Sequence, residues 1–156
     1  LWSCNDDDET LETNVTTSNG SVISLDGMWT SDCIDFTEYR LSEDFDFDGN
    51  QLMITIYQSS GETCDSPDET QTVDITFHVL GTIEATLDGS VVLGNKIAGT
   101  QKSSSKAEAS DFKQTFYILE QGGERALYHG IFGDDGGELS SDGYPIELHP
   151  FAIVQQ

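Results

Sequence analysis

The chain has few basic residues and no long apolar run. Six lysines and arginines stand against 29 aspartates and glutamates, which gives a formal net charge of −23. A surface of this sign repels phosphate backbones, so nucleic acids are excluded as partners, and docking on anionic lipid is disfavoured. After Cys4 no segment approaches the roughly 18 apolar residues of a membrane span. We therefore expect membrane attachment only through a covalent lipid.

The signatures of common enzymes are also missing. The chain has no Gly-x-Ser-x-Gly nucleophile turn, no phosphate-binding glycine loop and no histidine with an evident Ser or Cys partner. Among 29 carboxylates many close pairs arise by chance, so spacing alone cannot support an acid/base couple of the glycosidase type. We predict a protein that is not an enzyme and uses no cofactor.

The first residues, Leu1-Trp2-Ser3-Cys4, resemble a bacterial lipobox. In that motif a signal peptide is cut just before the cysteine, which then carries the lipid. The following residues to position 20 are polar and acidic, so we expect residues 1–20 to be an anchor and flexible tether for a barrel domain at 21–156. The resemblance implies an exported lipoprotein of the bacterial cell envelope, at the outer membrane and facing the periplasm or the surface. An incidental cysteine is the alternative.

If Cys4 carries a lipid, two of the three cysteines remain, Cys33 and Cys64. They are 31 positions apart, and closing a loop of that length stabilises a fold by roughly 3–4 kcal/mol in the chain-entropy model. The alternative, a reactive or metal-binding thiol, favours basic surroundings. Both cysteines instead lie among acids such as Asp32 and Asp65, so we predict a disulfide.

From Ser21 onward, apolar and polar residues alternate with the period of a β-strand. The pairs Asp48-Gly49 and Asp88-Gly89 predict tight hairpin turns, as does Gly122-Gly123, and Gly81 predicts a bend or bulge. We predict an all-β, up-and-down barrel of about eight or nine antiparallel strands, because closure removes exposed strand edges. A β-sandwich is the competing architecture. The predicted strands cover 27–34, 38–48, 51–59, 72–87, 91–101, 112–120, 125–132 and 145–154.

Gly27-Met28-Trp29, at the start of the first predicted strand, resembles the Gly-x-Trp signature of lipocalins and related calycin barrels. In that family the tryptophan packs across the closed end of the barrel. Residues 25–80 also resemble a lipocalin-like extracellular domain of the Wnt-inhibiting adenomatosis-polyposis-coli-down-regulated membrane proteins. The resemblance implies a calycin barrel that holds a small hydrophobic molecule or lipid. The residues that carry it are Leu25, Gly27 to Cys33, Phe45, Phe47, Tyr57, Cys64 and Pro67.

The inward-facing side chains of the predicted strands are candidate ligand contacts. They either fill the interior as a packed core or line a ligand cup, if small residues such as Ala98 and Gly99 leave space. We predict a cell-envelope protein that binds a small hydrophobic ligand. The alternative function is a β-sandwich interaction or adhesion module without a cavity. The candidate contacts are Trp29, Tyr39, Phe45, Phe47, Ile54, Phe77, Phe116 and Tyr128.

Acidic segments and histidines are candidate metal ligands. The segment from Asp44 to Gly49 copies the first six positions of an EF-hand loop, but Thr55 stands where the loop requires Glu. The acids at 134–142 form a second loop that could hold calcium weakly. A solvated strand face and a surface turn are the alternatives. The histidines lie on separate predicted strands, so we predict no specific metal site; they are His78, His129 and His149.

Overall fold

The protein is a closed antiparallel β-barrel of eight strands with one extra strand, and its computed structural model describes residues 12–106 and 108–156. Because the last strand, Ile153–Gln155, pairs with the first strand of the barrel, Gly27–Ser31, the sheet has the up-and-down, calycin-like architecture predicted, and the β-sandwich alternative is wrong. The strands are β1 (Val15–Thr16), β2 (Val22–Ile23), β3 (Gly27–Ser31), β4 (Ile34–Asp35), β5 (Arg40–Asp48), β6 (Gln51–Ser59), β7 (Glu69–Leu87), β8 (Ser90–Ser103), β9 (Ser110–Gln121), β10 (Glu124–His129) and β11 (Ile153–Gln155), with a short 3-10 helix at Gly133–Asp135.

Closure of the barrel depends on β3 and β11. Strand β11 pairs with β10 on one side and with β3 on the other, and β3 pairs in turn with β5, where Trp29 lies opposite Phe45. Strand β4 adds the extra strand along β5. Strands β1 and β2 form a separate two-stranded sheet. All these pairings are antiparallel, as expected of strands joined by hairpins.

Tight turns connect the strands where glycine occurs in the sequence. Gly49, Gly89 and Gly122 have φ values of 61°, 83° and 61°, which residues with a Cβ rarely adopt. The two-residue hairpin loops predicted at these positions are confirmed. The β7–β8 register shifts between Val79 and Gly81, which confirms the predicted bulge.

The prediction of a strand over residues 145–154 is mostly wrong. Only Ile153–Gln155, at the end of this range, forms a strand, β11. Pro145 and Pro150 lack the N–H that a strand ladder needs. The chain between β10 and β11 is instead a long loop, residues 130–152, which contains the 3-10 helix. We call this segment the 130–152 loop.

Residues 12–23 cover one end of the barrel, which we call the closed end. Val15 is 1% exposed and belongs to the core, and the main chain of Thr16 hydrogen-bonds the buried side chain of Asn95. The sequence placed this segment in a flexible tether, and that assignment is corrected for residues 12–20. Val15 holds this polar segment on the barrel, because the barrel core surrounds its side chain and Asn95 hydrogen-bonds the neighbouring main chain. Cys4 lies outside the described residues.

The closed-end half of the interior is a packed aromatic core. Trp29 is fully buried, and its Nε1–H donates to the carbonyl of Leu25 at 2.8 Å. The ring of Phe47 contacts Trp29 and Phe77 edge-on, with centroids 6.3 and 5.9 Å apart. Such edge-to-face packing favours aromatic pairs beyond their buried area. The interior is therefore filled by side chains at this end.

A second apolar cluster lies on the outer surface of the barrel. Tyr128 of β10 lies opposite Tyr117 of β9 and packs against the cluster formed by Tyr117, Ala85 and Leu148. Successive side chains along a strand point to opposite faces, so Leu127, next to Tyr128, points inward and is fully buried. The prediction that Tyr128 faces the interior is corrected.

The end opposite to residues 12–23, which we call the open end, carries the disulfide. Cys33 and Cys64 are bonded, with their Cα atoms 5.6 Å apart, and join the segment after β3 to the loop after β6. The predicted pairing is confirmed. Disulfides of this kind are typical of oxidising compartments outside the cytosol. Within the described part of the chain, no helix has the length and apolar character needed to cross a membrane.

Candidate functional site

A cavity of about 140 Å³ lies at the open end of the barrel. Its wall comes from the inward positions of adjacent strands: Phe45, Ile54 and Val73 face one another in a single cross-strand row through β5, β6 and β7. Strand alternation places these side chains inside. We call this space the open-end cavity. Its full lining is Glu43, Phe45, Ile54, Ile56, Val73, Ile75, Gln101, Phe112, Gln114, Phe116, His129 and Phe132.

The size of the open-end cavity limits what it can hold. An apolar cavity of about 150 Å³ accommodates benzene, and pockets for drug-sized ligands start at roughly 300 Å³. At about 140 Å³, the open-end cavity therefore fits one ring or a few methylene groups. It is a small cavity in a largely filled barrel.

Glu43 and His129 form the polar part of the wall. His129 Nε2 lies 3.3 Å from Glu43 Oε1, and the two side chains are only 17% and 15% exposed. Phe45 stacks on the imidazole with ring centroids 5.8 Å apart. Because a carboxylate only accepts hydrogen bonds, this contact requires the imidazole proton on Nε2. The pair gives an otherwise apolar cavity one defined polar side.

A second histidine adjoins this pair. The ring centroids of His149 and His129 are 5.2 Å apart, and the main-chain N–H of His149 donates to the main-chain carbonyl of His129 at 2.9 Å. Burial lowers the pKa of His149, and the neighbouring His129 lowers it further, whereas Glu43 and Asp135 act in the opposite direction. The neutral imidazole is therefore favoured at His149.

A neighbouring cavity of about 150 Å³ shares Glu43 and His129 with the open-end cavity. Both spaces therefore border the same polar pair. Apart from His149, its other wall residues are apolar. They are Ile34, Phe36, Leu41 and Phe151.

Gln114 is a structural residue in the cavity wall. Its Oε1 accepts hydrogen bonds from the N–H groups of Thr115 and Gly130, both at 2.8 Å, and its Nε2 donates to the carbonyl of Gly130 at 3.3 Å. Both polar ends of this buried amide are therefore occupied. Gln114 fixes the point where the 130–152 loop leaves the barrel.

Two lysines hold the 130–152 loop against the outer wall. Lys96 Nζ lies 2.7 Å from Asp142 Oδ2, and Lys113 Nζ donates to the Asp142 carbonyl at 2.8 Å. Each ammonium lies 5.3 Å from the ring centroid of Tyr144. The hydrogen bond from Lys96, with a second from Ser140, lowers the pKa of Asp142 to about 2. Both lysines are thus engaged outside the cavity.

The predicted ligand residues separate into interior and peripheral groups. Those that line the open-end cavity are Phe45, Ile54 and Phe116. Those that belong to the packed core are Trp29, Phe47 and Phe77. Tyr39 stacks on Phe36, with centroids 5.2 Å apart, and lines neither cavity. Tyr128 lies on the outer face.

Sequence reasoning missed the polar wall. The alternation that places Phe45 and Phe47 inside also places Glu43 inside, and Leu127 and His129 share a face in the same way. Strand parity was thus the signal that could have found both residues. What it could not show is that they meet, because β5 and β10 are separated in the sheet by β3 and β11.

Two of the candidate metal ligands, His129 and His149, come together, but the described residues place no third ligand with them. Across residues 12–106 and 108–156, no group of three His, Cys, Asp or Glu side chains is placed to hold a metal ion. Asp44, Asp46 and Asp48 occupy the positions of β5 that alternate with the inward Phe45 and Phe47. Weak calcium binding at the acidic loops stays a prediction.

No protein-family model matches the chain, and no curated protein sequence matches it. The barrel and its open-end cavity are therefore the basis for a functional proposal.

Proposed function

We propose that this protein is an exported, lipid-anchored barrel of lipocalin-like type that binds a small, largely apolar ligand in the open-end cavity. The observation that carries the proposal is the cavity itself. The closed-end half of the barrel is filled, whereas the side chains of Phe45, Ile54 and Val73 surround a space of about 140 Å³. Apolar walls with a few convergent polar groups are typical of small-molecule sites.

The size of the cavity sets the affinity to expect. A ligand of about eight heavy atoms that gains roughly 0.5 kcal/mol per atom binds with a free energy of about −4 kcal/mol. That value corresponds to a dissociation constant of about 1 mM. Binding experiments should therefore use millimolar ligand.

Trp29 supports the lipocalin-like assignment. It follows Gly27-Met28 at the start of β3, and its ring is fully buried beside the closed end. In lipocalins the signature tryptophan packs across the closed end of the barrel. The same position here agrees with the resemblance found in the sequence.

The first described residues lie at the end of the barrel opposite the open-end cavity. The carbonyl of Glu12 accepts a hydrogen bond from the Val79 N–H at 2.7 Å, and residues 12–23 then cross the closed end. This segment therefore leaves the open-end cavity uncovered.

Binding is tested by NMR titration with benzyl alcohol, a neutral ligand of one ring. Chemical shifts of the Ile54 and Val73 methyl groups should move and saturate at millimolar ligand. Val73→Trp fills the cavity and should abolish the shift of the Ile54 methyl groups, the reporter that remains in this variant. Val91→Trp, at a position that is 68% exposed, is the matched control and should leave that shift unchanged. If benzyl alcohol shifts the Ile54 methyl groups equally in both variants, ligand binding in the cavity is overturned.

The anchor is tested separately by mass spectrometry of protein isolated from its own host. The expected result is a terminal Cys4 carrying a lipid, and Cys4→Ala should release the protein from the membrane fraction. An unmodified Cys4 in a longer chain would overturn the anchor but not the binding cavity.

A further inference from the structure

The open-end cavity offers free hydrogen-bond acceptors. Glu43 Oε1 accepts from His129, and Gln101 Nε2 donates to the Asp111 carbonyl at 3.4 Å. Within the part of the chain that the structure describes, no hydrogen bond reaches Glu43 Oε2 or Gln101 Oε1. The Gln101 and Gln114 amides each use one of their two N–H groups in a bond to a main-chain carbonyl and keep a second, neutral donor. The free oxygen of Glu43 is charged, so the strongest polar contact for a ligand is a donor placed on Glu43.

Basic side chains do not line the cavity. Among the described residues, no Lys or Arg borders the open-end cavity or the neighbouring one that shares Glu43 and His129. Asp134 and Asp135 lie in the 130–152 loop, in a depression that shares Phe132 with the open-end cavity. The net charge of the chain is −23. A carboxylate or phosphate head group would therefore face like charges without a cation to pair with.

The aromatic wall adds a second attraction for a cation. The rings of Phe45 and Phe116 both border the cavity, with centroids 6.3 Å apart. The faces of aromatic rings carry partial negative charge and attract ammonium groups within about 6 Å. The aromatic rings and the Glu43 carboxylate thus favour the same kind of head group.

We propose that the open-end cavity selects a small amine whose apolar body is one ring or a few methylenes, and that its ammonium group donates to the Glu43 carboxylate. This inference rests on the proposed binding function and names its ligand class. It excludes fatty-acid anions, the other obvious ligands of an apolar barrel.

Three ligands of nearly equal size test the inference at pH 7.5: benzylamine, benzyl alcohol and benzoate. Benzylamine should bind most tightly and benzoate most weakly, as measured by NMR titration of the Ile54 and Val73 methyl groups. Glu43→Gln keeps the shape of the side chain and removes its charge. It should weaken benzylamine binding roughly 10- to 100-fold, the range of one hydrogen bond to a charged group. Benzyl alcohol donates a hydrogen bond but carries no charge, so its affinity should fall by a smaller factor than that of benzylamine.

Asp46→Asn is the matched control, because Asp46 belongs to the same strand, is exposed and carries the same charge. It should leave the benzylamine preference intact. A direct contact with Glu43 should also persist at 1 M salt, where the Debye length is about 3 Å, whereas attraction to the overall charge should vanish. This measurement needs no variant, so it tests the inference even if Glu43→Gln fails to fold.

The outcomes separate this inference from the proposed function. If benzyl alcohol binds as tightly as benzylamine, the cavity function stands and the amine preference is overturned. If benzoate binds most tightly, the amine preference is likewise overturned. If none of the three ligands moves the cavity methyl groups, both proposals fail.

Discussion

The side-chain amide of Asn95 hydrogen-bonds both the N–H and the carbonyl of Thr16, at 2.9 and 3.0 Å. Its Nδ2 also donates to the carbonyl of Phe116 at 3.0 Å. Asn95 and Phe116 form the last paired position between β8 and β9 before these strands diverge. The Asn95 side chain therefore makes hydrogen bonds where the β8–β9 pairing ends, and it attaches residues 12–23 to the barrel.

Asn95→Ala should destabilise the protein by about 2–4 kcal/mol, because it leaves buried backbone groups without partners at about 1–3 kcal/mol each. Urea unfolding followed by circular dichroism measures the change. Asn50→Ala, in an exposed turn, is the control and should stay within about 0.5 kcal/mol of the parent protein. Equal stabilities for both variants would show that the Asn95 contacts contribute nothing.

Val15→Ala should cost about 2 kcal/mol, since it removes two buried methyl groups and leaves a small cavity. Val22→Ala changes the same side chain at a position that is 64% exposed in the same two-stranded sheet. Its effect should be within about 0.5 kcal/mol. Thermal or urea unfolding of the two variants compares them directly. If Val15→Ala leaves the free energy of unfolding unchanged, residues 12–20 do not contribute to the fold and are a flexible tether, as predicted from the sequence.

The alternation of apolar residues predicted most of the barrel. It placed a strand at 51–59, where β6 lies, and one at 38–48, of which β5 covers 40–48. Alternation encodes only which face of a strand is buried, so it could not show that Val15 closes the barrel. Nor could it bring together Glu43 and His129, which are 86 positions apart. Whether Glu43 and His129 come into contact depends on the register of the strands around the closed barrel.

Removal of the disulfide should lower the free energy of unfolding by roughly 3–4 kcal/mol, because the unfolded chain regains the entropy of a 31-residue loop. The double variant Cys33→Ser/Cys64→Ser tests this by urea unfolding against the oxidised parent protein. Reductant should destabilise the parent protein and leave the double variant unchanged. A double variant as stable as the oxidised parent would show that the barrel alone accounts for stability.

His149 should make the protein less stable in mild acid. Its pKa lies below the ordinary value of 6.5, mainly through burial, so the unfolded chain binds the proton first. The stabilising contribution is complete above pH 6.5 and is lost as the pH falls through the lower folded-state pKa. His149→Gln should therefore lose less thermal stability than the parent protein between pH 7.5 and 5.5.

His78→Asn is the control for this pH effect, because His78 alternates with the inward Phe77 on β7 and belongs to neither cavity. It should show the same pH dependence as the parent protein. If His149→Gln shows that dependence too, protons taken up at His149 do not account for it.

Ligand binding in the open-end cavity is tested most directly by locating the ring of a bound ligand. Intermolecular nuclear Overhauser effects between benzylamine and the methyl groups of an isotope-labelled protein measure this position. If the ligand binds in the open-end cavity, the ring should contact Ile54, Val73 and Ile75, which line it. Contacts only to exposed methyl groups such as Val91 and Leu93, or none at saturating ligand, would contradict binding in the cavity.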